Sequence, residues 1–198
     1  MLNKDPLFFV ISAPSGAGKT TVISEVLKKS KNLRRLITHT TRPMREGETD
    51  KKDYFFLSNE NFQKKIAEDD FLEHANVYGN SYGSSKTTLK EISEGEYDII
   101  KDIDVQGAMN IKKRYSNAIL IYILTPSFED LEKRLRFRNL DSDEVIKKRI
   151  DIAKEELSYI DKYDYCVENA EVKEAAEDIC AIIRVERLKR KEYAKNIC

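Results

Sequence analysis

Short apolar segments alternate with longer segments whose apolar residues recur every three or four positions. The apolar segments are LFFVIS (7–12), YDIIKDI (97–103) and AILIYIL (118–124). They are rich in β-branched residues, which is typical of strands that are covered on both faces. A helical pattern follows each of them, at residues 20–30, 105–115 and 127–139. A strand followed by a helix, repeated along the chain, predicts βαβ units and therefore an α/β fold with a parallel sheet.

Two segments interrupt this alternation. Residues 37–84 are rich in Thr, Tyr, Phe and Gly and carry one short helical pattern, at 58–70, so we expect an inserted and partly β subdomain. Residues 127–158 contain an arginine-dense pair of helical patterns, which we interpret as a mobile flap. The last segment, 172–198, has the pattern of an amphipathic helix with a basic end, and we expect its positive charges to be solvated.

The charge composition argues against nucleic acid and membrane surfaces as partners. The 198 residues include 35 Lys and Arg and 35 Asp and Glu, which cancel to a net charge of zero, so any recognition of phosphate has to be local.

The three cysteines, Cys166, Cys180 and Cys198, lack the spacing of zinc ligands and predict reduced thiols. The apolar runs are far shorter than a membrane span, and the N-terminal MLNKDP lacks the layout of a signal peptide. We therefore expect a cytoplasmic protein.

The stretch SAPSGAGKTT, at 12–21, follows the first predicted strand and precedes the first predicted helix. It matches the phosphate-binding pattern G-x-x-x-x-G-K-[ST], except that Ala13 occupies the first glycine position. In such a turn, backbone N–H groups and the helix N-terminus bind phosphate. The pattern predicts that Lys19 reaches the β- and γ-phosphates of a nucleotide and that the Thr20 hydroxyl binds Mg²⁺. The alternative is a glycine-rich turn with an incidental lysine.

The predicted nucleotide-binding residues of this turn are Ala13, Pro14, Ser15, Gly16, Ala17, Gly18, Lys19, Thr20 and Thr21. Alanine fits the first position only if its backbone has a negative φ, because a Cβ atom penalises the left-handed region. Gly16 and Gly18 remain where the backbone has to approach phosphate oxygens most closely.

A second phosphate site is suggested by THTTRPMREGE, at 38–48, in which Arg42 and Arg45 flank Pro43. Planar guanidinium groups match phosphate oxygens bidentately. Taken singly, these arginines are more often partners in surface salt bridges. Glu73, in FLEHANVYGNSYGSS, likewise reads first as an exposed strand carboxylate.

Taken together, seven segments in this order resemble guanylate kinase, the enzyme that converts GMP and ATP to GDP and ADP. These are SAPSGAGKTT, THTTRPMREGE, KKDYFF, FLEHANVYGNSYGSS, DIDVQGA, and KRLRFRN followed by VIKKRI. The resemblance implies a three-layer P-loop kinase fold with a parallel central sheet, an inserted GMP-binding subdomain and a helical lid. We expect one domain, 1–198, with its core at 1–36, 85–126 and 159–198, the insertion at 37–84 and the lid at 127–158.

The resemblance also implies roles for individual residues. The GMP phosphate would be held by Arg42, Arg45, Tyr54 and Tyr82, and guanine would be read by Thr38, Glu73 and Ser84 with Asp104 nearby. Asp102 would position Mg²⁺ through water, together with Thr20, and Asn169 would lie near the adenine of ATP. The residues implied in catalysis are Lys19, Arg42, Arg134, Arg138 and Arg149. For Arg136 we expect a solvated, salt-bridged helix face.

The expected roles fit the chemistry of the reaction. A carboxylate such as Glu73 can accept from both N1–H and the 2-amino group of guanine, and the hydroxyls of Thr38 and Ser84 can reach O6 or the amino group. Arginines and Mg²⁺ would neutralise the charge of the transferring phosphoryl group, so no nucleophilic side chain is required.

The chain departs from the family pattern beyond Ala13. Lys101 stands where the family is apolar, and strand alternation places it on the opposite face from Asp102 and Asp104. Asn139 replaces a usual glycine, and the VEN before Ala170 is less apolar than the family strand.

The expected cofactor is Mg²⁺ with ATP as co-substrate, and the expected acceptor is GMP, with dGMP as a second acceptor. We expect neither nucleic acid nor membrane as a partner and make no prediction of oligomeric state. One alternative is a guanylate-kinase-like module that binds a partner protein, although such a module has no need of Lys19 and Thr20. Another is a kinase with a different phosphorylated acceptor, against which Glu73, Thr38 and Ser84 argue.

Overall fold

The computed structural model describes residues 6–77, 79–137 and 142–189. These residues form two compact units. The first unit comprises the described residues of 1–8, 32–101 and 106–118, and the second comprises those of 9–31, 102–105 and 119–198.

Nine strands and seven α-helices lie within the described residues. The strands are β1 (Phe8–Ser12), β2 (Leu33–Arg35), β3 (His39–Thr40), β4 (Phe55–Phe56), β5 (Phe71–Val77), β6 (Asn80–Ser85), β7 (Asp98–Asp102), β8 (Ile119–Leu124) and β9 (Tyr165–Glu168). The helices are α1 (Lys19–Lys29), α2 (Asn59–Ala67), α3 (Lys86–Glu94), α4 (Val105–Arg114), α5 (Phe128–Phe137), α6 (Asp143–Leu157) and α7 (Val172–Lys189). A 3₁₀ turn covers Ile160–Lys162.

The three apolar segments of the sequence form the middle of a parallel sheet whose strand order is β2-β7-β1-β8-β9. Every residue of β1 is buried, and in β7 and β8 only the last residue is not. The pairs β2–β7, β1–β8 and β8–β9 are all parallel. Because the strands are covered on both faces, they read as continuous apolar runs rather than as alternating ones. The predicted α/β fold with a parallel central sheet is confirmed.

The helical patterns that follow the three strands correspond to α1, α4 and α5. Helix α1 buries Val22, Ile23 and Val26 in the core. Val26 lies one turn after the other two residues, as the helical pattern in the sequence predicts. The arginine-dense pair corresponds to α5 and α6. Between these two helices, residues 138–141 lie outside the described part of the chain, as does the end of the C-terminal pattern beyond Lys189.

The segment expected as an insertion forms a second sheet, of order β4-β3-β6-β5, with one helix, α2. Strands β3, β5 and β6 pair antiparallel, whereas β3 and β4 pair parallel. One face of this sheet is apolar: Phe71 stacks on Phe62 of α2 at 4.6 Å between ring centroids, and His39 stacks on Phe55 at 4.5 Å. The division of the chain into core, insertion and lid stays a prediction.

Helix α3 was not predicted, and its pattern explains why. It begins after Ser85, whose hydroxyl accepts a hydrogen bond from the Thr88 N–H, but none of its residues is fully buried. With nine residues the helix covers only two to three turns, so its pattern repeats too few times to be distinctive in the sequence. Within the part of the chain that the structure describes, every helix is too short or too polar to cross a bilayer.

Candidate functional site

The phosphate-binding pattern forms the turn between β1 and α1. Gly16 and Gly18 adopt left-handed backbone conformations, with φ of 96° and 88°, and Gly18 is the N-cap of α1. Ala13 is not among the non-glycine residues with positive φ, which in the described part of the chain are Asn32, Lys51, Asp69 and Glu96. The expectation that Ala13 avoids the left-handed region is therefore confirmed. A variant turn with alanine at this position needs no backbone strain.

A second layer of side chains holds the turn in place. The Asn169 side-chain amide donates to the Ala17 carbonyl oxygen at 2.7 Å, and Asn169 is fully buried. The Arg134 guanidinium donates to the carbonyl oxygens of Asn169, at 2.7 Å, and Ala170, at 3.2 Å. Asn169 Oδ1 is buried without a hydrogen-bond partner in the described residues. Asn169 therefore braces the turn, and its contact with adenine stays a prediction.

Two more of the predicted residues lie at this turn. The Arg149 guanidinium of α6 donates to Ser15 Oγ at 2.8 Å. The Lys19 ammonium donates to the Ile103 carbonyl oxygen at 3.0 Å. Ile103 lies between Asp102 and Asp104, so the cationic end of Lys19 is held beside the segment that carries both carboxylates. Thr20 and Thr21 are exposed on the first turn of α1.

In the first unit, four of the predicted GMP-binding residues share one face of the four-stranded sheet. Glu73 pairs with Ser84 across β5 and β6, and Ser84 Oγ donates to Glu73 Oε1 at 2.6 Å. Tyr82 lies two residues before Ser84 and therefore on the same face. His39 pairs with Gly83, so one further step of this antiparallel register brings Thr38 opposite Ser84.

Arg42 lies against the aromatic part of this sheet. Its guanidinium carbon is 5.3 Å from the centre of the Tyr54 ring, and the Tyr54 and Tyr82 rings are 6.2 Å apart. Arg42 also forms an ion pair with Glu48 at 2.6 Å, and this hydrogen bond raises the pKa of the arginine. The Arg45 N–H donates to the second oxygen of Glu48 at 2.7 Å, while the Arg45 side chain is exposed. Both predicted phosphate-binding arginines are thus connected through one carboxylate.

Comparisons with known proteins assign the family. The family model of guanylate kinase matches residues 6–186. The chain belongs to the guanylate kinase family. It is 44% identical over 182 residues to the guanylate kinase of Thermotoga maritima, covering 91% of this chain and 87% of that relative. The guanylate kinase of Caldanaerobacter subterraneus is 46% identical over 187 residues, with coverage of 94% and 90%.

Solved structures agree with this assignment. A crystal structure of guanylate kinase from Anaplasma phagocytophilum matches with a TM-score of 0.75 at 31% identity, covering 94% of this chain and 88% of that one. The predicted resemblance and the predicted enzyme class are therefore confirmed. The residue roles that the guanylate kinase family implies stay predictions, and among them Arg138 lies outside the described residues, as does the variant position Asn139.

The oxygen donors near the turn can be compared with the ligands that Mg²⁺ prefers. Among the described residues, no cluster of three or more His, Cys, Asp and Glu side chains could hold a metal ion. Mg²⁺ commonly keeps several waters and takes only one or two protein ligands beside substrate phosphates. A threonine hydroxyl at Thr20 and a half-buried carboxylate at Asp102 are hard oxygen donors of this kind. The donor set therefore fits Mg²⁺ that is bound together with a nucleotide.

Sequence reasoning missed two residues near the predicted sites. Burial raises the pKa of the Glu156 carboxyl, while nearby Lys19 opposes this rise and nearby Asp104 adds to it. In the sequence, Glu156 is one of several polar residues of α6, and nothing in its spacing indicates that it is half-buried near Lys19 and Asp104. Lys101 is the other: it is 1% exposed, and its ammonium donates to Thr38 Oγ1. Its departure from the family pattern was visible in the sequence, but its partner was not.

Proposed function

We propose that this enzyme transfers the γ-phosphoryl group of ATP in line to GMP, giving ADP and GDP, and that dGMP is a second acceptor. Membership of the guanylate kinase family supports this activity. The observation that carries the choice of acceptor is the Glu73–Ser84 pair, which lies on the same sheet face as Thr38 and Tyr82. We further propose a cytoplasmic location, as predicted from the cysteine usage.

Guanine fits this pair by its hydrogen-bonding groups. In the proposed complex, Glu73 accepts from N1–H and the 2-amino group, which adenine does not offer. A site built to accept from both donors rejects a base that lacks them by a factor on the order of 10⁴, because its polar groups then lose these partners. Asp104 lies in the second unit, and its predicted proximity to guanine is part of the proposal.

The phosphate of GMP is assigned to Arg42, Arg45, Tyr54 and Tyr82. Arg42 is already oriented by its ion pair with Glu48 and its packing over Tyr54, which limits the rotamers it has to give up on binding. Because Glu48 also accepts from the Arg45 N–H, this carboxylate fixes the loop between the two arginines. Glu48 and the incoming phosphate would share the donors of Arg42.

Catalysis is assigned to stabilisation of charge on the transferring phosphoryl group. The turn residues 13–21 bind the ATP phosphates, Lys19 contacts the β- and γ-phosphates, and Arg134, Arg138 and Arg149 contribute positive charge, with Arg42 on the acceptor side. Thr20 and, through water, Asp102 would hold Mg²⁺, which supplies charge neutralisation at the phosphates. Arg149 already contacts Ser15 of the turn, and Arg134 contacts the backbone beside Asn169.

An acceptor panel tests the proposed function. Purified protein is given ATP and Mg²⁺ with GMP, dGMP, AMP, UMP or dTMP, and ADP formation is measured. We expect turnover with GMP and dGMP alone. Turnover with another acceptor would replace the proposed substrate, and the absence of turnover with every acceptor would favour the protein-binding module.

A matched pair of lysine variants on α1 tests the site. Lys19→Ala removes the cation beside the turn and should lower kcat with GMP by about 10²–10³, the scale of a lost charge-stabilising group. Lys28→Ala is the control, because Lys28 is exposed on the same helix and pairs with Glu25, three residues earlier, at 2.6 Å. Equal activity of the two variants would overturn the assignment of Lys19.

A further inference from the structure

Lys101 places a cation inside the first unit. It belongs to β7, where its neighbours Ile99 and Ile100 are buried, and its own exposure is 1%. Burying an ammonium group is costly unless it is hydrogen-bonded. Thr38 Oγ1 is one acceptor of this ammonium. A buried lysine is therefore coupled to a residue that is proposed to read guanine.

The sheet explains how the two residues meet. Strand β2 runs parallel to β7, with Arg35 opposite Ile100, and the Leu36 N–H donates to the Ile100 carbonyl oxygen at 2.9 Å. The chain thus follows β7 beyond the end of β2. The Thr38 carbonyl oxygen accepts from the Phe55 N–H at 2.9 Å, which fixes the backbone of this residue.

The hydrogen bond with Lys101 decides the polarity of the Thr38 hydroxyl. An ammonium group has three donors and no acceptor, so Thr38 Oγ1 has to accept from it. The hydroxyl proton of Thr38 is then directed to another acceptor. Ser84 is different: its hydroxyl donates to Glu73 Oε1 at 2.6 Å, so its oxygen remains able to accept. The two hydroxyls on this face have opposite polarities.

Guanine requires this combination. Its O6 accepts, whereas its N1–H and 2-amino group donate. We infer that Lys101 is a positioning residue for base recognition: it fixes Thr38 as the donor to O6 of guanine, leaving Glu73 and Ser84 to accept from N1–H and the 2-amino group. This inference rests on the proposed function, and it resolves which hydroxyl contacts which group of the base.

Analogues of GMP with single changes on the base isolate the O6 contact. The monophosphate of 6-thioguanosine replaces O6 by sulfur, a weaker acceptor, and IMP lacks the 2-amino group. The measured quantities are the ratios of kcat/KM for GMP over 6-thio-GMP and for GMP over IMP. Lys101→Met is the test variant because methionine keeps an unbranched chain of similar length and removes the donor.

We expect Lys101→Met to lower the GMP over 6-thio-GMP ratio by about tenfold, the scale of one hydrogen bond. The GMP over IMP ratio should stay within about twofold, because the groups that read the 2-amino group are untouched. Thr38→Val, which removes the hydroxyl at nearly constant volume, should lower the first ratio similarly. In the Thr38→Val background, Lys101→Met should add less than about twofold, because both variants remove one contact.

Lys112→Met is the matched control, since Lys112 donates to the Ala118 carbonyl oxygen at 2.6 Å and lies outside the proposed site. It should leave both ratios unchanged. A folded Lys101→Met protein with wild-type ratios, or with equal losses for all three substrates, would overturn the inference. A Thr38→Val protein with a wild-type GMP over 6-thio-GMP ratio would also overturn it. This second result does not depend on whether Lys101→Met folds. Failure of the proposed function would be seen separately, as wild-type protein that does not phosphorylate GMP.

Discussion

At the scale of single residues, His39 shows how burial decides protonation. The side chain is 5% exposed and lies between the rings of Phe55 and Phe71, and its Nδ1 has no hydrogen-bond partner in the described residues. Burial lowers the pKa of His39 to about 4, and nearby Lys65 adds to the effect. The folded protein therefore holds this imidazole neutral well below its ordinary pKa of 6.5.

This shift predicts a loss of stability in mild acid. Below pH 6.5 the unfolded chain takes up a proton at His39 that the folded chain refuses until about pH 4, so the free energy of unfolding falls as pH decreases through this window. A shift of this size corresponds to about 3 kcal/mol. His39→Phe keeps the aromatic stacking and should flatten the dependence in urea unfolding between pH 4.5 and 7.

The chain provides its own control. The only other histidine is His74, which is exposed on β5, and His74→Gln should keep the wild-type dependence. A His39→Phe protein whose stability falls as steeply as that of the wild type would show that other groups govern the acid transition.

At the scale of elements, the turn between β1 and α1 depends on its glycines for two different reasons. Gly16 and Gly18 both have positive φ, and a Cβ atom on either would also be crowded: on Gly16 it would lie 2.7 Å from Leu135 Cδ2, and on Gly18 it would lie 2.6 Å from Asn169 Nδ2. Asn169 is fully buried and is held by Ala17, so it has little room to move. The turn can therefore pack this closely against Asn169 only because position 18 is a glycine.

Three substitutions separate backbone strain from crowding. Gly18→Ala combines both and should lower the free energy of unfolding by about 2–3 kcal/mol, which for this size is roughly 5–10 °C in Tm. Gly47→Ala has positive φ, at 84°, with nothing within 4 Å of the added Cβ, and should cost about 1 kcal/mol. Ala13→Gly should cost at most about 1 kcal/mol, through chain entropy alone. If the Gly18→Ala and Gly47→Ala proteins had the same Tm, crowding against Asn169 would not contribute to the loss of stability.

The sequence predicts helices and strands best where apolar residues recur at the spacing of one face of the element. Strands β1, β7 and β8 and helices α1, α4 and α5 follow from apolar runs and helical periods, because their burial is a property of local spacing. Strand β2 has three residues, of which only Leu33 is buried, so its place at the edge of the sheet depends on pairing with β7. Such pairing joins residues about 65 positions apart and leaves no local period.

At the scale of the whole molecule, motifs in a fixed order predicted the family, whereas contacts between distant residues had to come from the structure. The turn at 12–21 and the arginines at 42 and 45 are readable because their residue types are chemically specific. The support of Ala17 by Asn169 spans 152 positions, and the contact of Thr38 with Lys101 spans 63. A side chain that acts through such a partner has no spacing that sequence reasoning could detect.

The two compact units lead to a prediction about ligand binding. The residues proposed for ATP phosphates lie in the second unit, and those for GMP lie in the first, apart from Asp104. A ligand at 100 times its Kd stabilises the folded state by about 2.7 kcal/mol, or roughly 5–10 °C in Tm for a chain of this size. GMP alone and ADP with Mg²⁺ alone should each produce such a shift in the wild type.

Two variants should each remove the Tm shift of one nucleotide and keep that of the other. Glu73→Gln can still accept from Ser84 but presents an amide donor to the base, so it should lose the shift by GMP and keep the shift by ADP. Lys19→Ala should keep the shift by GMP and lose most of the shift by ADP, because it removes the cation nearest the β-phosphate. Each shift is measured against the ligand-free Tm of the same variant, which separates binding from stability. If either variant lost both shifts at an unchanged ligand-free Tm, the two nucleotides would not be bound by separate sets of residues.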